Sequence, residues 1–305
     1  MSTDRNRKAL VTLAVGSRYE KMFERYGRDV WRRYCEKFAY DLIVITEPLD
    51  NSPRGRERSP AWQKLLILSQ EWSGRYERVV WADTDVMINN QHAPDIIDAV
   101  PVEKVGAADA YSFPSQAIHA IALQRKYSRW RSLGVSYVDN ISPGLYYENR
   151  GIPGGELDRL VQTGVFTCSP KNHRELFEHI YYHYEDETKR AEGNYEMPAL
   201  SYELVKHDLV HWISPQFNLC VGDVIAAFYP FLFYSSARPS IFTRVANKIR
   251  RELHLNANDR RSKAQDAALK NIYELGYFTH FAGCPEMMEN LYAQLLDNAA
   301  DPARL

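Results

Sequence analysis

The first 85 residues alternate short apolar runs with amphipathic stretches, and this alternation constrains the fold more than any other feature of the chain. Apolar runs at 9–15 and 41–46 are each followed by a stretch with helical spacing, and a third apolar run occupies residues 79–81. Strands that alternate with helices in this way form parallel sheets with right-handed crossovers. The sequence therefore predicts an α/β fold.

Two Ser-Pro pairs indicate where helices begin. Ser59-Pro60 and Ser169-Pro170 each place a capping side chain before a proline that suits the first helical position. Residues 224–233 form an apolar run that predicts a strand or a hairpin. The further predicted strands are residues 104–110, 163–168, 209–213 and 277–282, and the further predicted helices are residues 117–133, residues 197–206 and a segment that begins at Pro285.

Composition argues against several classes of protein. The formal net charge is −1, which gives no global electrostatic reason to expect nucleic acid binding. No run of about 18 apolar residues is free of charge, and the N-terminus lacks the apolar core of a signal peptide, so we expect a cytoplasmic protein without a membrane span. The cysteines form no CxxC pair, which predicts buried free thiols.

The apolar run at residues 79–81 is followed by two acidic residues, Asp83 and Asp85. A short β-branched and aromatic run is typical of a strand buried on both faces of a parallel sheet. Such strands end at the edge where open α/β sheets bind their ligands. Because neighbouring carboxylates repel each other unless a cation or a proton lies between them, the pair predicts a functional site.

Three features of the chain together resemble one enzyme family: the strand and helix order, the Asp83-Thr84-Asp85 motif, and the late segment with His280 and Gly283. The combination is similar to GT-A glycosyltransferases, and most similar to the family-8-like and related groups. The resemblance implies a Rossmann-like three-layer sandwich with a mostly parallel central sheet. It also implies transfer of a hexose from a nucleotide diphosphate sugar, a UDP-sugar by preference, to a hydroxyl-bearing acceptor.

The resemblance further implies a metal site. Asp85 and His280 would bind the ion directly, and Asp83 would share it or hydrogen-bond the ribose of the nucleotide. His280 and Gly283 would also lie beside the phosphates. Mixed carboxylate and imidazole ligation suits Mn²⁺ and tolerates Mg²⁺. Such a cation would offset the negative charge that develops on the departing diphosphate.

The turn after the first strand matches the family's nucleotide-binding position. The resemblance implies that Ala14 and Val15 offer backbone groups to the base and the ribose, and that Tyr19 offers a stacking face. An ordinary strand-to-helix turn would account for the same residues.

Two further segments match positions around the donor sugar. Lys64, in the helix before the metal-binding strand, would face the diphosphate or the sugar, although a solvated lysine would also fit. Gln162, Thr163 and Gly164 resemble the strand that lines the sugar, where glycine lets the backbone approach a ligand.

Glu196 is the candidate catalytic residue by the same resemblance. In the family an acid at a helix start binds hydroxyls of the donor sugar, and a glutamine follows it in enzymes that retain the configuration of the sugar. Here Met197 follows Glu196, which leaves the stereochemical outcome open. Glu196 would contact sugar hydroxyls or act as a base toward the acceptor. An acid at this position also stabilises a helix through its dipole.

Two segments lie outside these motifs. Residues 134–161 are rich in glycine and predict a long loop for acceptor recognition or closure, with Tyr146, Tyr147 and Glu148 as contacts. Residues 238–263 hold eight Arg or Lys against two acidic residues. Such a stretch is a solvated helix face, or it meets an anionic partner or a membrane surface.

A chain of 305 residues is long enough for one large α/β domain. We expect a single domain over residues 1–305. Its expected parts are a nucleotide-binding half (8–110), a half for the acceptor and the donor sugar (111–230), a basic helical insertion (231–270), and a C-terminal strand and helix with a metal ligand (271–305).

Two other hypotheses use the same residues. Haloacid-dehalogenase-like phosphatases also carry an Asp-x-Asp motif, in which the first acid, here Asp83, would be the nucleophile. They usually carry it on the first strand, whereas two strand–helix units precede it here. The other hypothesis is an inactive sugar-nucleotide-binding protein of the same fold, because fold does not by itself determine function.

Overall fold

The computed structural model describes residues 7–132, 134, 141–185, 195–234 and 260–298. Most of the basic stretch at 238–263 and part of the loop predicted at 134–161 lie outside the described residues. The strands are β1 (Lys8–Leu13), β2 (Tyr40–Ile45), β3 (Arg78–Ala82), β4 (Val86–Ile88), β5 (Val105–Asp109), β6 (Val161–Cys168), β7 (Val210–Trp212), β8 (Leu219–Cys220) and β9 (Phe278–His280).

Six of these strands form the main sheet, in the order β2-β1-β3-β6-β5-β7. Strand β1 pairs in parallel with β2 and β3, and β5 pairs in parallel with β7. Strand β6 is antiparallel to both of its neighbours, β3 and β5. All strands of this sheet except β6 therefore run in one direction, and the predicted α/β class with a mostly parallel central sheet is confirmed.

Helices fill most of the described sequence between the strands. The α-helices are α1 (Ser17–Met22), α2 (Arg28–Phe38), α3 (Pro53–Glu57), α4 (Gln116–Ser132), α5 (Pro143–Glu148), α6 (Pro170–His183), α7 (Met197–Lys206), α8 (Val221–Phe228), α9 (Pro230–Tyr234), α10 (Arg260–Leu275) and α11 (Pro285–Asn298). The 3₁₀ segments are Pro60–Ser69, Glu71–Arg75 and Pro215–Asn218, and a π-helical segment, Phe23–Gly27, joins α1 to α2.

Helical layers cover both faces of the main sheet. Val79 and Trp81 of β3 belong to a hydrophobic cluster with α6 and the segment Pro60–Ser69. Val80 and Ala82 belong to a second cluster with α2. Because successive side chains of a strand point to opposite faces, these clusters lie on opposite sides of the sheet. Strand β3 is therefore buried along its whole length, as its apolar run predicts.

A small second sheet, in the order β4-β9-β8, joins distant parts of the chain. Strand β9 is antiparallel to β4 and parallel to β8, and the register places His280 opposite Val86 and beside Cys220. Strand β4 begins directly after Asp85. The small sheet therefore brings the C-terminal part of the chain to the end of β3.

The two predicted helix starts differ in their capping. The Ser59 hydroxyl accepts a hydrogen bond from the backbone N–H of Ala61 at 3.3 Å, although the segment that follows is a 3₁₀ helix. Ser169 precedes α6 as predicted, but its side chain makes no capping hydrogen bond. The backbone N–H of Ser169 instead donates to Nδ1 of His173 at 2.9 Å. The side chain of His173, one turn into α6, thus accepts a hydrogen bond from the backbone N–H that precedes this helix.

The strand or hairpin predicted at residues 224–233 is wrong, because helices α8 and α9 occupy this region. Helix α8 packs against α4 and α10, and Val224 and Ile225 are buried. A short apolar run suits a buried helix as well as a strand, and here tertiary packing selects the helix. The loop predicted at 134–161 is also partly helical, since it contains α5.

Free thiols are confirmed at all four cysteines. Cys35 and Cys168 are buried as expected, whereas Cys220 and Cys284 are only half-buried. In the part of the chain that the structure describes, no helix combines the length and the apolar character that crossing a membrane requires.

Phe166 provides a test of this core. Its ring is fully buried and contacts the rings of Trp81 and Phe177. We expect Phe166→Ala to lower the free energy of unfolding by about 3–5 kcal/mol, because it removes buried area and leaves a cavity. Phe231 is the matched control, since its ring is 56% exposed. Urea denaturation of both alanine variants measures the difference, and equal losses would contradict the assignment of Phe166 to the core.

Candidate metal centre

Main-chain hydrogen bonds bring Asp83, Asp85 and His280 together where the two sheets meet. The Asp83 N–H donates to the carbonyl of Gly164 at 2.8 Å, which continues the β3–β6 pairing by one residue. The Phe281 N–H donates to the carbonyl of Asp85 at 2.9 Å, which extends the pairing of β4 with β9. Main-chain hydrogen bonds therefore hold the backbone at Asp83, Asp85 and His280 in place, independently of the side chains.

The side chains of these residues form a compact group of ligand atoms. Nε2 of His280 lies 3.3 Å from Oδ1 of Asp85 and 3.8 Å from Oδ2 of Asp83. One ligand atom from each residue lies within 4.8 Å of the other two. Two carboxylates and an imidazole suit a divalent transition metal, and the set tolerates Mg²⁺. The three residues predicted as metal ligands therefore fit such an ion.

The pKa shifts of Asp85 and His280 indicate that the two carboxylates favour a positive charge beside them. Burial acts to raise the pKa of Asp85, but attraction to His280 outweighs it and holds that pKa below its usual value. Burial acts to lower the pKa of His280, but attraction to Asp85 holds it well above the usual value. The carboxylates thus favour a cation beside them, and either a protonated imidazole or a divalent ion meets that demand.

Lys64 forms a second, buried cluster next to the metal ligands. Its Nζ lies 3.1 Å from Oδ1 of Asp83, 2.9 Å from Oε1 of Glu196 and 3.2 Å from the carbonyl of Thr163. In this arrangement protein acceptors take all three of its N–H groups. Burial acts to lower the pKa of Lys64, but the two carboxylates raise it above its usual value. Lys64 therefore links Asp83 to Glu196 as a charged group.

Glu196 keeps one unused acceptor. Its Oε1 accepts from the Thr163 hydroxyl at 2.8 Å as well as from Lys64. Its Oε2 is buried and has no hydrogen-bond partner among the described residues. An unpaired buried carboxylate oxygen carries a desolvation cost that a ligand hydroxyl would remove.

Gly164 lies against His280, one of the predicted metal ligands. A Cβ atom at this position would lie 2.2 Å from Cε1 of His280, which no side chain tolerates. The glycine thus makes room for the His280 ring. Nε2 of Gln162, two residues earlier, donates to Sγ of Cys220 at 3.2 Å, and that sulfur lies 3.9 Å from Nδ1 of His280.

The residues predicted to bind the nucleotide lie after the carboxyl end of β1. That strand is adjacent to β3, so the turn shares an edge of the sheet with Asp83. The Ala14 N–H donates to the carbonyl of Ile45 at 2.7 Å, and Val15 is half-buried. Tyr19 on α1 is 48% exposed and has a ring face open to a ligand.

Gly283 lies in an exposed turn three residues after His280. Its φ is +71°, in the left-handed region that favours glycine. Of the contacts predicted in the long loop, Tyr147 is fully buried and its hydroxyl donates to the carbonyl of Arg159 at 3.1 Å. Tyr146 is half-buried against Arg150, and Glu148 is exposed.

A small polar cleft lies beside Asn218 and Cys220, which contact His280, and the sequence alone did not indicate it. Its polar lining consists of Asp109, His119, Gln162, Asn218, Cys220 and Asp223. Asp109 ends β5 in the way that Asp83 follows β3, and this was the sequence signal available for it. Burial raises the pKa of Asp109 and lowers that of His119.

No family model and no curated protein matches the chain. Among solved structures, the chain is similar to the apo WbbM bifunctional glycosyltransferase at a TM-score of 0.50 and 14% identity, over 100% of this chain and 51% of that one. It is also similar to a glycosyltransferase involved in glycosylation of the major capsid of PBCV-1, at a TM-score of 0.48 and 14% identity over 93% and 99% of the two chains. At 14% identity the likeness to WbbM concerns the fold alone, and that fold agrees with the predicted GT-A class.

Gly164→Ala tests the link between this glycine and the metal ligands. The added methyl group must displace the His280 ring, so we expect Mn²⁺ affinity to fall by about tenfold or more, the size of effect seen when ligand orientation is lost. Gly222→Ala is the matched control, because a Cβ there meets nothing within 4 Å. Calorimetric titration with Mn²⁺ gives both affinities, and circular dichroism verifies the fold. Wild-type affinity in Gly164→Ala would show that His280 does not bind the ion.

Proposed function

We propose that this protein is a metal-dependent glycosyltransferase that moves a hexose from a nucleotide diphosphate sugar to a hydroxyl acceptor. The observation that carries the proposal is the convergence of Asp83, Asp85 and His280 at the edge of the sheet where α/β folds bind ligands. The shared fold with WbbM, described as a bifunctional glycosyltransferase, supports it by analogy. Within this class we favour a family-8-like enzyme with an Asp-x-Asp motif, UDP as the nucleotide and Mn²⁺ as the ion.

We assign a proposed role to each residue of the site from its position and its contacts. Asp83, Asp85 and His280 would hold the divalent ion, which would supply a positive charge against the departing diphosphate. Asp83 shares its other oxygen with Lys64 and with the indole N–H of Trp81, at 3.1 and 2.8 Å. These two donors keep the Asp83 carboxylate oriented while its Oδ2 faces His280.

Glu196 is the residue that we propose to touch the donor sugar. Lys64 and Thr163 fix one carboxylate oxygen, and the other is left to accept a hydrogen bond from a sugar hydroxyl. Because Lys64 links Glu196 to Asp83, the proposed sugar contact has a fixed position relative to the proposed metal ligands. Action as a base toward the acceptor hydroxyl is the alternative role, and with Met197 beside it the stereochemical outcome is not assigned.

The remaining site residues complete the proposal. Ala14, Val15 and Tyr19 would contact the nucleotide, and Gly283 and His280 would lie beside the phosphates. The strand with Gln162, Thr163 and Gly164 would line the sugar.

Asp85→Asn tests the proposed activity. We expect hydrolysis or transfer of UDP-, GDP- or dTDP-hexoses with Mn²⁺ in the wild type, and a loss of about 100-fold or more in kcat/KM in the variant, since one charged ligand is removed. Chelation with EDTA should abolish turnover, and Mn²⁺ should restore it. Asp98→Asn is the matched control, because Asp98 is exposed and lies outside the metal cluster.

Three results would overturn the proposal. The first is undiminished turnover of a sugar nucleotide in Asp85→Asn. The second is hydrolysis of an aryl phosphate that Asp83→Asn abolishes, since a phosphatase would need Asp83 as its nucleophile. If no nucleoside diphosphate with Mn²⁺ raises the melting temperature, the donor site does not bind its ligand.

A further inference from the structure

We infer that Asn218 is a positioning residue that holds an imidazole proton of His280 on Nδ1, so that Nε2, the nitrogen that faces Asp83 and Asp85, is the one left to bind a metal ion. The inference deepens the proposed function, since it concerns how this chain prepares one of its metal ligands. Asn218 ends the 3₁₀ segment Pro215–Asn218 and is followed directly by β8, the parallel neighbour of β9. It is 5% exposed, so water contributes little to its side-chain hydrogen bonds.

The hydrogen bonds of the Asn218 side chain fix which way its amide group faces. Its Nδ2 donates to the backbone carbonyl of Gln162 at 3.2 Å. A carbonyl oxygen only accepts, so the amide nitrogen must face Gln162 and the amide oxygen must face the opposite way. That oxygen, Oδ1, lies 2.9 Å from Nδ1 of His280.

The fixed amide in turn decides where the imidazole proton lies. An amide oxygen only accepts, so Nδ1 of His280 must carry the proton in this contact. When a metal ion takes the place of a proton on Nε2, the lone pair of that nitrogen binds the ion while Nδ1 keeps its proton. Nε2 is the atom that faces Oδ1 of Asp85 at 3.3 Å. Sγ of Cys220, at 3.9 Å from Nδ1, is a more distant and weaker acceptor.

Packing leaves the ring little freedom to escape this arrangement. His280 is 4% exposed, and Gly164 contacts its Cε1 side closely enough to exclude a Cβ atom. The pairing of Val86 with His280 holds the backbone beneath the ring. A chain of hydrogen bonds therefore runs from Gln162 of β6, through Asn218, to Nδ1 of the ring whose Nε2 faces the two carboxylates.

Asn218 would make the same contacts if its role were only structural, so the test must detect the proton on Nδ1 of His280 directly. In protein with ¹⁵N-labelled histidine, we expect a slowly exchanging Nδ1–H signal for His280, assigned by its absence in His280→Gln. Asn218→Leu should abolish the signal and weaken Mn²⁺ binding by about 10- to 100-fold, the usual effect of losing such a partner. Titration calorimetry measures the affinity in the same samples.

Three further variants separate positioning from folding. Asn218→Asp keeps an acceptor for Nδ1–H, and we expect it to restore the signal and most of the Mn²⁺ affinity. The serine side chain in Asn218→Ser is too short to reach the ring. If Asn218→Leu does not fold, Asn218→Ser takes its place in the test, and we expect it to lose the Nδ1–H signal and to bind Mn²⁺ more weakly. Gln216→Leu is the matched control, because Gln216 lies in the same segment and donates to the carbonyl of Leu275 at 2.8 Å without touching His280.

The outcomes distinguish this inference from the proposed function. A wild-type Nδ1–H signal and wild-type Mn²⁺ affinity in folded Asn218→Leu or Asn218→Ser would overturn the inference. Absence of the Nδ1–H signal in the wild type would do the same. If the wild type shows the signal but binds no Mn²⁺, then the metal-dependent function fails while the role of Asn218 in placing the proton stands.

Discussion

The pairing of β4 with β9 is the contact on which the candidate site depends. It joins Val86 to His280, nearly 200 residues apart, and places an imidazole against two carboxylates that follow β3. Without this antiparallel contact the end of β3 would carry two acids with no third ligand. The small sheet costs chain entropy to close, because its strands are distant in sequence. Its closure brings His280 to the two acids and so completes the proposed metal site at the end of β3.

Charge balance is the second constraint on this region. Asp83, Asp85 and Glu196 are carboxylates, and Lys64 and His280 are the cationic partners within contact distance. A buried lysine that is shared between two carboxylates is stable only while both partners remain. The metal cluster and the proposed sugar contact are therefore one electrostatic unit, with Asp83 common to both.

Local sequence predicted secondary structure correctly where a segment had a strong bias, and wrongly where its apolar pattern suited both a strand and a helix. The run at 79–81 predicted a doubly buried strand because a β-branched and aromatic segment suits few other positions, and β3 is that strand. The apolar run at 224–233 had no such bias, and packing against α4 and α10 made it helical. Ser169 was predicted as a helix cap, but the side chain of His173, only four residues further on, accepts the hydrogen bond at the helix start instead.

The late histidine was implied by the resemblance to GT-A glycosyltransferases, whereas the sequence by itself determined the fold class and the acids at the end of β3. These depend on short-range patterns, namely the alternation of strands with helices and a motif at a strand end. Only the tertiary structure decided that Gly164 makes room for the His280 ring, that Lys64 links Asp83 to Glu196, and that Asn218 contacts His280. Each of these contacts joins residues that are at least 19 positions apart in the chain. Packing alone brings such residues together, so no local pattern could have predicted them.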